Sequence, residues 1–242
     1  MTHEPKQPVR ARGRFPWKRA AAVAFIYLGM LALALQGEAR TRHMIELARA
    51  ARAAGQLDLA IERYRETAAR PGQAHNATVY LELAGALLDA ATAGASPDNR
   101  RLEEALEAWN HCLRIDPANA SAYVGLARTC LILREDNLRL ILAISNEPTD
   151  DAGELLRERL RRDAGHLLDQ AELALRRARS LQPGDALTRF LSAEVHLALR
   201  ADIEASYLYS SVSHHPEFSA RARERLDALA RRHLATPTTP ES

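Results

Sequence analysis

LEEALEAWNHCLRIDP, residues 102–117, carries the pattern on which the fold turns. Ala105 is followed four residues later by Trp109, three further on by Cys112 and five beyond that by Pro117. Residues three and four apart share one face of a helix, so a small residue there admits a neighbouring helix and the large one fills the gap beside it. Proline then ends the segment, because it cannot continue the hydrogen-bond ladder. The same small–large–small–proline ladder returns as Ala171, Leu175, Ala178 and Pro183. It appears with the proline one residue early as Ala60, Tyr64, Thr67, Pro71 and as Ala205, Tyr209, Val212, Pro216.

Each ladder needs a partner helix before it. Three read cleanly: Met44-Leu47-Ala48-Ala51, Tyr80-Leu83-Ala84-Leu87 and Tyr123-Leu126-Ala127-Cys130. The fourth, Arg189-Ser192-Ala193-His196, keeps only the small residue. Ala, Leu, Arg and Glu dominate beyond the first 40 residues, and aromatics are 5% of the chain. That composition favours helices and leaves too few β-branched and aromatic residues for a large sheet. The expected fold class is all-α.

These pairs resemble tetratricopeptide repeats, whose pattern is W-x2-L-G-x2-Y, then A-x3-F, then P. The resemblance runs over residues 42–217 and implies an α-solenoid of about four helix pairs; a plain helical bundle is the competing architecture. Ala48 to Ala60 and Ala193 to Ala205 keep the family interval of twelve, and Gly55 sits in the first turn. Two pairs depart from it, with 21 residues from Ala84 to Ala105 and 44 from Ala127 to Ala171. They imply two insertions inside pairs. The first, residues 91–100, reads as a surface loop. The second holds the apolar run NLRLILAI (137–144), a polar break NEPTDD, and a charged helical stretch from about Gly153 to Leu181. Such a run either packs back on the repeats or docks a partner. Residues 218–234 read as an amphipathic helix closing the solenoid, and 235–242 as a disordered tail.

The head of the chain is different. Residues 1–19 carry six Lys and Arg against Glu4, a net of +5 in a chain whose total is +2. The remainder is therefore acidic by three charges, which argues against a nucleic-acid binder with a basic folded surface. Residues 20–35, AAAVAFIYLGMLALAL, contain no charge. With Trp17 before it and Gln36-Gly37 after it, this stretch reaches the ~20 residues of a spanning helix. The 20–36 segment is expected to be a transmembrane anchor with the 1–19 head cytoplasmic, by the positive-inside rule. A cleaved signal peptide, ending near Ala32-Leu33-Ala34, and a buried core helix are the other two readings. Either of the first two puts the folded part outside the cytoplasmic membrane, in the periplasm of a bacterial cell.

No catalytic signature is found. The histidines show no His-Glu-x-x-His, His214 and His215 precede a proline turn, and no phosphate loop or nucleophile elbow is present. Cofactor and metal are expected to be absent. Cys112 and Cys130 flank the turn near Pro117 asymmetrically, which sets them ~12 Å apart along an antiparallel pair, beyond disulfide reach. Free thiols are expected.

In the resembled family the first helices of successive pairs line a concave groove that receives a partner segment. Carried over, the resemblance implies that Ile45, Arg49 and Arg52 come from the first helix, and Leu81, Gly85 and Leu88 from the second. Val124, Arg128 and Leu131, then Phe190 and Glu194, complete the groove. The Lys/Asn set with which some family members clamp a terminal carboxylate is missing. An apolar floor carrying Arg49, Arg52 and Arg128 suits an amphipathic helix with acidic flanks. The layout resembles bacterial envelope assembly factors; a stoichiometric structural subunit of a membrane complex is the alternative.

Overall fold

The computed structural model describes residues 17–70, 72–146 and 151–235, with backbone alone for 17–24, 26, 29, 31–35 and 234–235. Most of the basic head, Pro71, the polar break at 147–150 and the 236–242 tail lie outside the described residues. Everything described is helix, turn or loop, and no strand occurs among these residues. The chain divides into a short unit ending at Met44 and a second unit from Ile45 onward. Helix α1, Trp17–Ala53, runs through that division. Among the described residues no helix is long and apolar enough to cross a membrane. Most of the side chains on which the anchor expectation falls are not among them.

From residue 45 the second unit is a series of antiparallel pairs. The end of α1 pairs with α2 (Leu57–Ala68), α3 (Ala77–Thr92) with α4 (Asn99–Ile115), and α5 (Ala120–Ser145) with α6 (Asp151–Leu181). Helices α7 (Ala186–Ala198) and α8 (Asp202–Val212) form the fourth pair, and α9 (Ser219–Ala235) follows alone. Each helix from α2 to α8 packs on the next, and α3–α5 and α5–α7 contacts join first helices directly. All twelve ladder positions before the prolines are buried, from Ala60, Tyr64 and Thr67 to Ala205, Tyr209 and Val212. Burying each large ladder residue contributes about 1.5–3 kcal/mol, which makes these positions the adhesive of the array.

The core falls into two clusters, one centred on α1–α4 and one on α5–α9, with Leu106, Leu126 and Leu167 packed against both. Local chemistry sets the helix starts. Asp98, Asn119 and Asp185 each accept a hydrogen bond from the backbone N–H three residues on, capping α4, α5 and α7. In the first pair α1 ends in a left-handed residue, Gly55 at φ 75°, with Gln56 N–H donating to Ala51 O at 2.9 Å. This six-to-one bond satisfies a carbonyl the helix end would otherwise orphan.

The second insertion is not a separate element. Residues 137–144 continue α5, and the charged stretch is α6, so the two helices of the third pair are simply long: 26 and 31 residues against 13 and 11 in the fourth pair. Nothing between Ala120 and Ser145 breaks a helix, so hydrogen bonding carries on through Arg134–Asn137. The apolar run does not pack back on the repeats as one block. Ile141 is buried but belongs to neither core cluster, while Leu140 and Leu142 are exposed, as are Leu155 and Leu156 on α6. The shorter insertion is taken up by longer helices and the exposed turn 93–98.

Candidate partner-binding face

Two clefts open on the face made by the first helices and α9. The first, 260 Å³, lies among α3, α5 and the start of α7, and its lining includes Arg52, Gly85, Leu88, Val124 and Arg128. The second, 560 Å³, lies among α5, α7 and α9, and takes in Arg128, Leu131, Phe190 and Glu194. Arg128 and Leu187 belong to both, so the clefts adjoin. Of the groove residues expected from the sequence, Ile45, Arg49 and Leu81 line neither cleft. Ile45, Leu88 and Phe190 are core residues, 7%, 4% and 2% exposed, rather than an open apolar floor.

The arginines also differ from the expected picture. Arg49 is bonded to Glu82 at 2.7 Å and to Glu46 at 2.8 Å, and the Glu82 carboxylate raises its already high pKa. Arg52 is clamped between Asp89 at 2.6 Å and Glu82 at 3.4 Å. Its guanidinium lies flat on Gly85, where a Cβ would come within 2.9 Å of it. Tyr64 completes the group by donating to Glu82 at 3.4 Å; burial, then the Glu82 charge, pushes its hydroxyl up to about 12. These two arginines are neutralised by the protein itself, and their charge goes into holding α1 to α3. Arg128 is exposed and has no ion-pair partner among the described residues.

Between the ends of this face stands the joint of the second and third pairs. The Trp109 ring lies against Gly125, where a Cβ would overlap it, and its indole N–H donates to Thr129 Oγ1 at 3.2 Å. Thr129 in turn donates to the Gly125 carbonyl. Glycine at 125 is therefore required for a close approach: it lets an aromatic from a second helix reach the floor of the first cleft. Trp109, Gly125 and Leu187 are not among the groove residues expected from the sequence. The sequence reads Trp109 as a ladder residue without giving it a place on this face, and the Gly125-x3-Thr129 spacing, one helical turn, marks the helix face it meets.

In the second cleft Phe190 is stacked on Phe218 at 5.2 Å, with Arg221 over its ring at 4.9 Å. Glu194 accepts from the Tyr209 hydroxyl at 2.8 Å and pairs with Arg225 at 3.1 Å; burial, then the Glu194 charge, raises the tyrosine pKa well above its usual value. Arg134 lines the same cleft half-buried, and desolvation lowers its pKa, only partly opposed by Glu135. Arg134, Arg221 and Arg225 also escape sequence reasoning. Arg221 and Arg225 stand one turn apart on α9, a spacing visible in the sequence but without a face to assign it to.

Larger furrows, 820 and 670 Å³, open between successive second helices, α2/α4 and α4/α6. In the first of them Glu104 is shared by Arg65 and Arg100, and Arg114 donates to His111 Nδ1 at 2.8 Å. Among the described residues no three His, Cys, Asp or Glu side chains gather to hold a metal. Cys112 and Cys130 are free and buried, and burial pushes their thiols up to about 11 and about 12, which suppresses the reactive thiolate.

No family model and no curated protein matches the chain. Among solved structures it is similar to a crystal structure of MamA protein, with a TM-score of 0.54 and 18% identity over 79% of this chain and 81% of that one. A thermophilic TPR protein of Thermus thermophilus overlaps at a TM-score of 0.39 with 16% identity, over 78% of this chain and 98% of the other. A double mutant of MamA RS-1 does so at 0.35 with 13% identity, over 81% and 97%. With its interlocked small–large–small ladders in successive antiparallel pairs, the chain has the tetratricopeptide-type fold.

Proposed function

We propose that the chain is a membrane-anchored protein-binding scaffold that serves as an accessory factor for an envelope protein complex. The observation that carries this reading is the pair of adjoining clefts on the first-helix face, joined at Arg128, which has no ion-pair partner among the described residues. A continuous hollow of mixed apolar and cationic character suits an extended or helical protein segment, here an amphipathic helix with acidic flanks. Residues 20–36 anchor the chain in the bacterial cytoplasmic membrane as a single pass, with the repeat domain in the periplasm. Support for the anchor is the charge-free stretch itself, and the exposure of Phe25, Tyr27, Leu28 and Met30 along α1, apolar side chains that lipid would cover.

A reporter active only outside the cytoplasm, fused after Ala60, is expected to be active, and carbonate washing is expected to leave the protein in membranes. An inactive reporter reverses the topology, and release by carbonate means a cleaved signal. For the scaffold role, the purified chain is expected to be free of stoichiometric partners and to acquire one only during biogenesis of the complex. Co-purification at fixed ratio through gel filtration in mild detergent makes it a structural subunit instead.

A further inference from the structure

The two ends of the first-helix face differ in charge chemistry, and that difference points to the kind of segment the face receives. At the first cleft every charge except Arg128 has an internal partner. Arg52 and Asp89 hold each other, and Asp185 caps α7 through the Thr188 N–H and hydroxyl. What remains is a 260 Å³ hollow whose lining includes the Trp109 ring packed on Gly125 and the Arg52 guanidinium packed on Gly85.

The second cleft has the opposite balance. Glu135 is paired with Arg139, and Glu194 with Arg225 and Tyr209. Arg128, Arg134 and Arg221 have no carboxylate within ion-pair distance among the described residues, and Glu217 is the one lining carboxylate likewise unpaired. Arg134 is half-buried there, and partial desolvation disfavours its charge, so a carboxylate entering the cleft meets a guanidinium less well hydrated than one on the open surface. Arg221 is already held in place by the Phe190 ring beneath it.

We infer that the face binds a protein segment in one direction only, with a bulky apolar side chain seated over Trp109 and two or more carboxylates on one side of it, held by Arg128, Arg134 and Arg221. The inference rests on the docking face proposed above and adds its polarity. Arginines at the α1–α3 end take no part, since Glu82 and Asp89 already saturate them. An acidic flank placed at that end meets carboxylates and is rejected. Of the acidic flanks proposed above only the one facing Arg128, Arg134 and Arg221 is held, and a segment with acids on both sides of its anchor binds less well than one with acids on that side alone.

The test uses the full chain in detergent micelles, with random peptides displayed on phage as the probe. Enriched peptides are expected to share one bulky apolar residue with Asp or Glu clustered on a single, consistent side. A synthetic copy is expected to change the emission of Trp109 in a Trp17→Phe background. Its affinity is expected to fall about tenfold or more in the Arg128→Glu/Arg221→Glu variant, with the loss shrinking as salt rises. Enriched peptides without acids, or with acids on either side indifferently, overturn the inference. So does binding to the doubly reversed variant within about twofold of the parent. Leu187→Asp, at the wall shared by both clefts, separates this failure from that of the docking face. Peptides that ignore the arginine reversals but are lost with Leu187→Asp leave the face standing and remove its polarity. Peptides that ignore both remove the face itself.

Discussion

The first and fourth helix pairs are offset by 145 residues and match position for position: Ala48 with Ala193, Ala60 with Ala205, Tyr64 with Tyr209. Each first helix ends in a residue of positive φ followed by the same six-to-one hydrogen bond, Gln56 to Ala51 and Ala201 to His196. In each pair the tyrosine hydroxyl reaches a carboxylate that is tied to an arginine on a neighbouring helix. Yet the ion pair is reversed. In the first pair Arg49 on α1 holds Glu82 on α3; at the position equivalent to Arg49 the fourth pair has Glu194, which holds Arg225 on α9. What repeats is a buried phenol that needs an acceptor, and an electrostatic tie from each first helix to the element that follows its pair. Which helix supplies which sign is free. The third pair obeys the same ladder with helices two to three times as long as those of the fourth, so pair length too is free so long as the joints are kept.

The largest expected effect tests whether the tyrosines are true equivalents. Tyr64 and Tyr209 are both fully buried, so Tyr64→Ala and Tyr209→Ala are each expected to cost about 3–5 kcal/mol in chemical denaturation. Trp109→Ala, the corresponding change in the second pair, belongs in the same range. If one tyrosine variant melts within a degree of the parent, that pair is not held by the joint described.

The phenols also predict an alkaline limb. Folding raises the Tyr64 pKa above its ordinary value of 10 to about 12, and Tyr209 shifts in the same direction. A group whose folded pKa is raised stabilises fully below the unfolded value and loses that contribution as pH climbs through the folded one. Stability is therefore expected to decline from about pH 10 to about pH 12, and Tyr64→Phe to flatten the decline. An unchanged slope in that variant shows that Tyr64 is not the group responsible.

The turn distinguishes the pairs more finely. Gly55 has φ 75° with open space around its missing Cβ, while Arg200 adopts φ 62° at the equivalent place. A side chain in the left-handed region costs about 1–2 kcal/mol, offset in part by the greater freedom of glycine in the unfolded chain. Arg200→Gly is expected to raise stability by up to about 1 kcal/mol, and Gly55→Ala to lower it by about 1 kcal/mol. A destabilised Arg200→Gly protein means that the arginine side chain contributes more than its backbone costs.

Several of these correspondences are legible in the sequence. The twelve ladder positions follow from helical spacing, while the interval of twelve residues in two pairs and Gly55 in its turn come from the resemblance to tetratricopeptide repeats. Arg200 is not legible as its counterpart, because a left-handed arginine has no compositional signature. The long α5–α6 pair reads as an insertion in the sequence, since an apolar run followed by polar residues looks like a new element. The run actually rides on an unbroken helix whose tip leaves Leu142 exposed, near the start of a second long helix that exposes Leu155 in turn. On the docking face the sequence discloses residue types but not their satisfaction. Arg49 and Arg52 find acids 30–37 residues away, on a helix whose rotation only the packed structure defines.

The reversed ion pair supplies the smallest and most specific test. Arg225→Glu places two carboxylates together beside Tyr209, while Glu194→Arg places two guanidinium groups there and removes the phenol's acceptor. Either single change is expected to destabilise. The double variant, Glu194→Arg with Arg225→Glu, recreates on α7 and α9 the order found on α1 and α3, with the carboxylate moved to the following helix as in Glu82. If the tie alone matters, the double variant recovers most of the loss, with a coupling of about 0.5–1 kcal/mol for a pair this open to water. That coupling is expected to shrink in high salt. The recovery should be incomplete, because the Glu194 to Tyr209 hydrogen bond of 2.8 Å is shorter than the 3.4 Å bond from Tyr64 to Glu82. Full recovery means that the phenol is indifferent to which helix carries its acceptor. No recovery at all means that the two pairs, however alike in spacing, are not interchangeable joints.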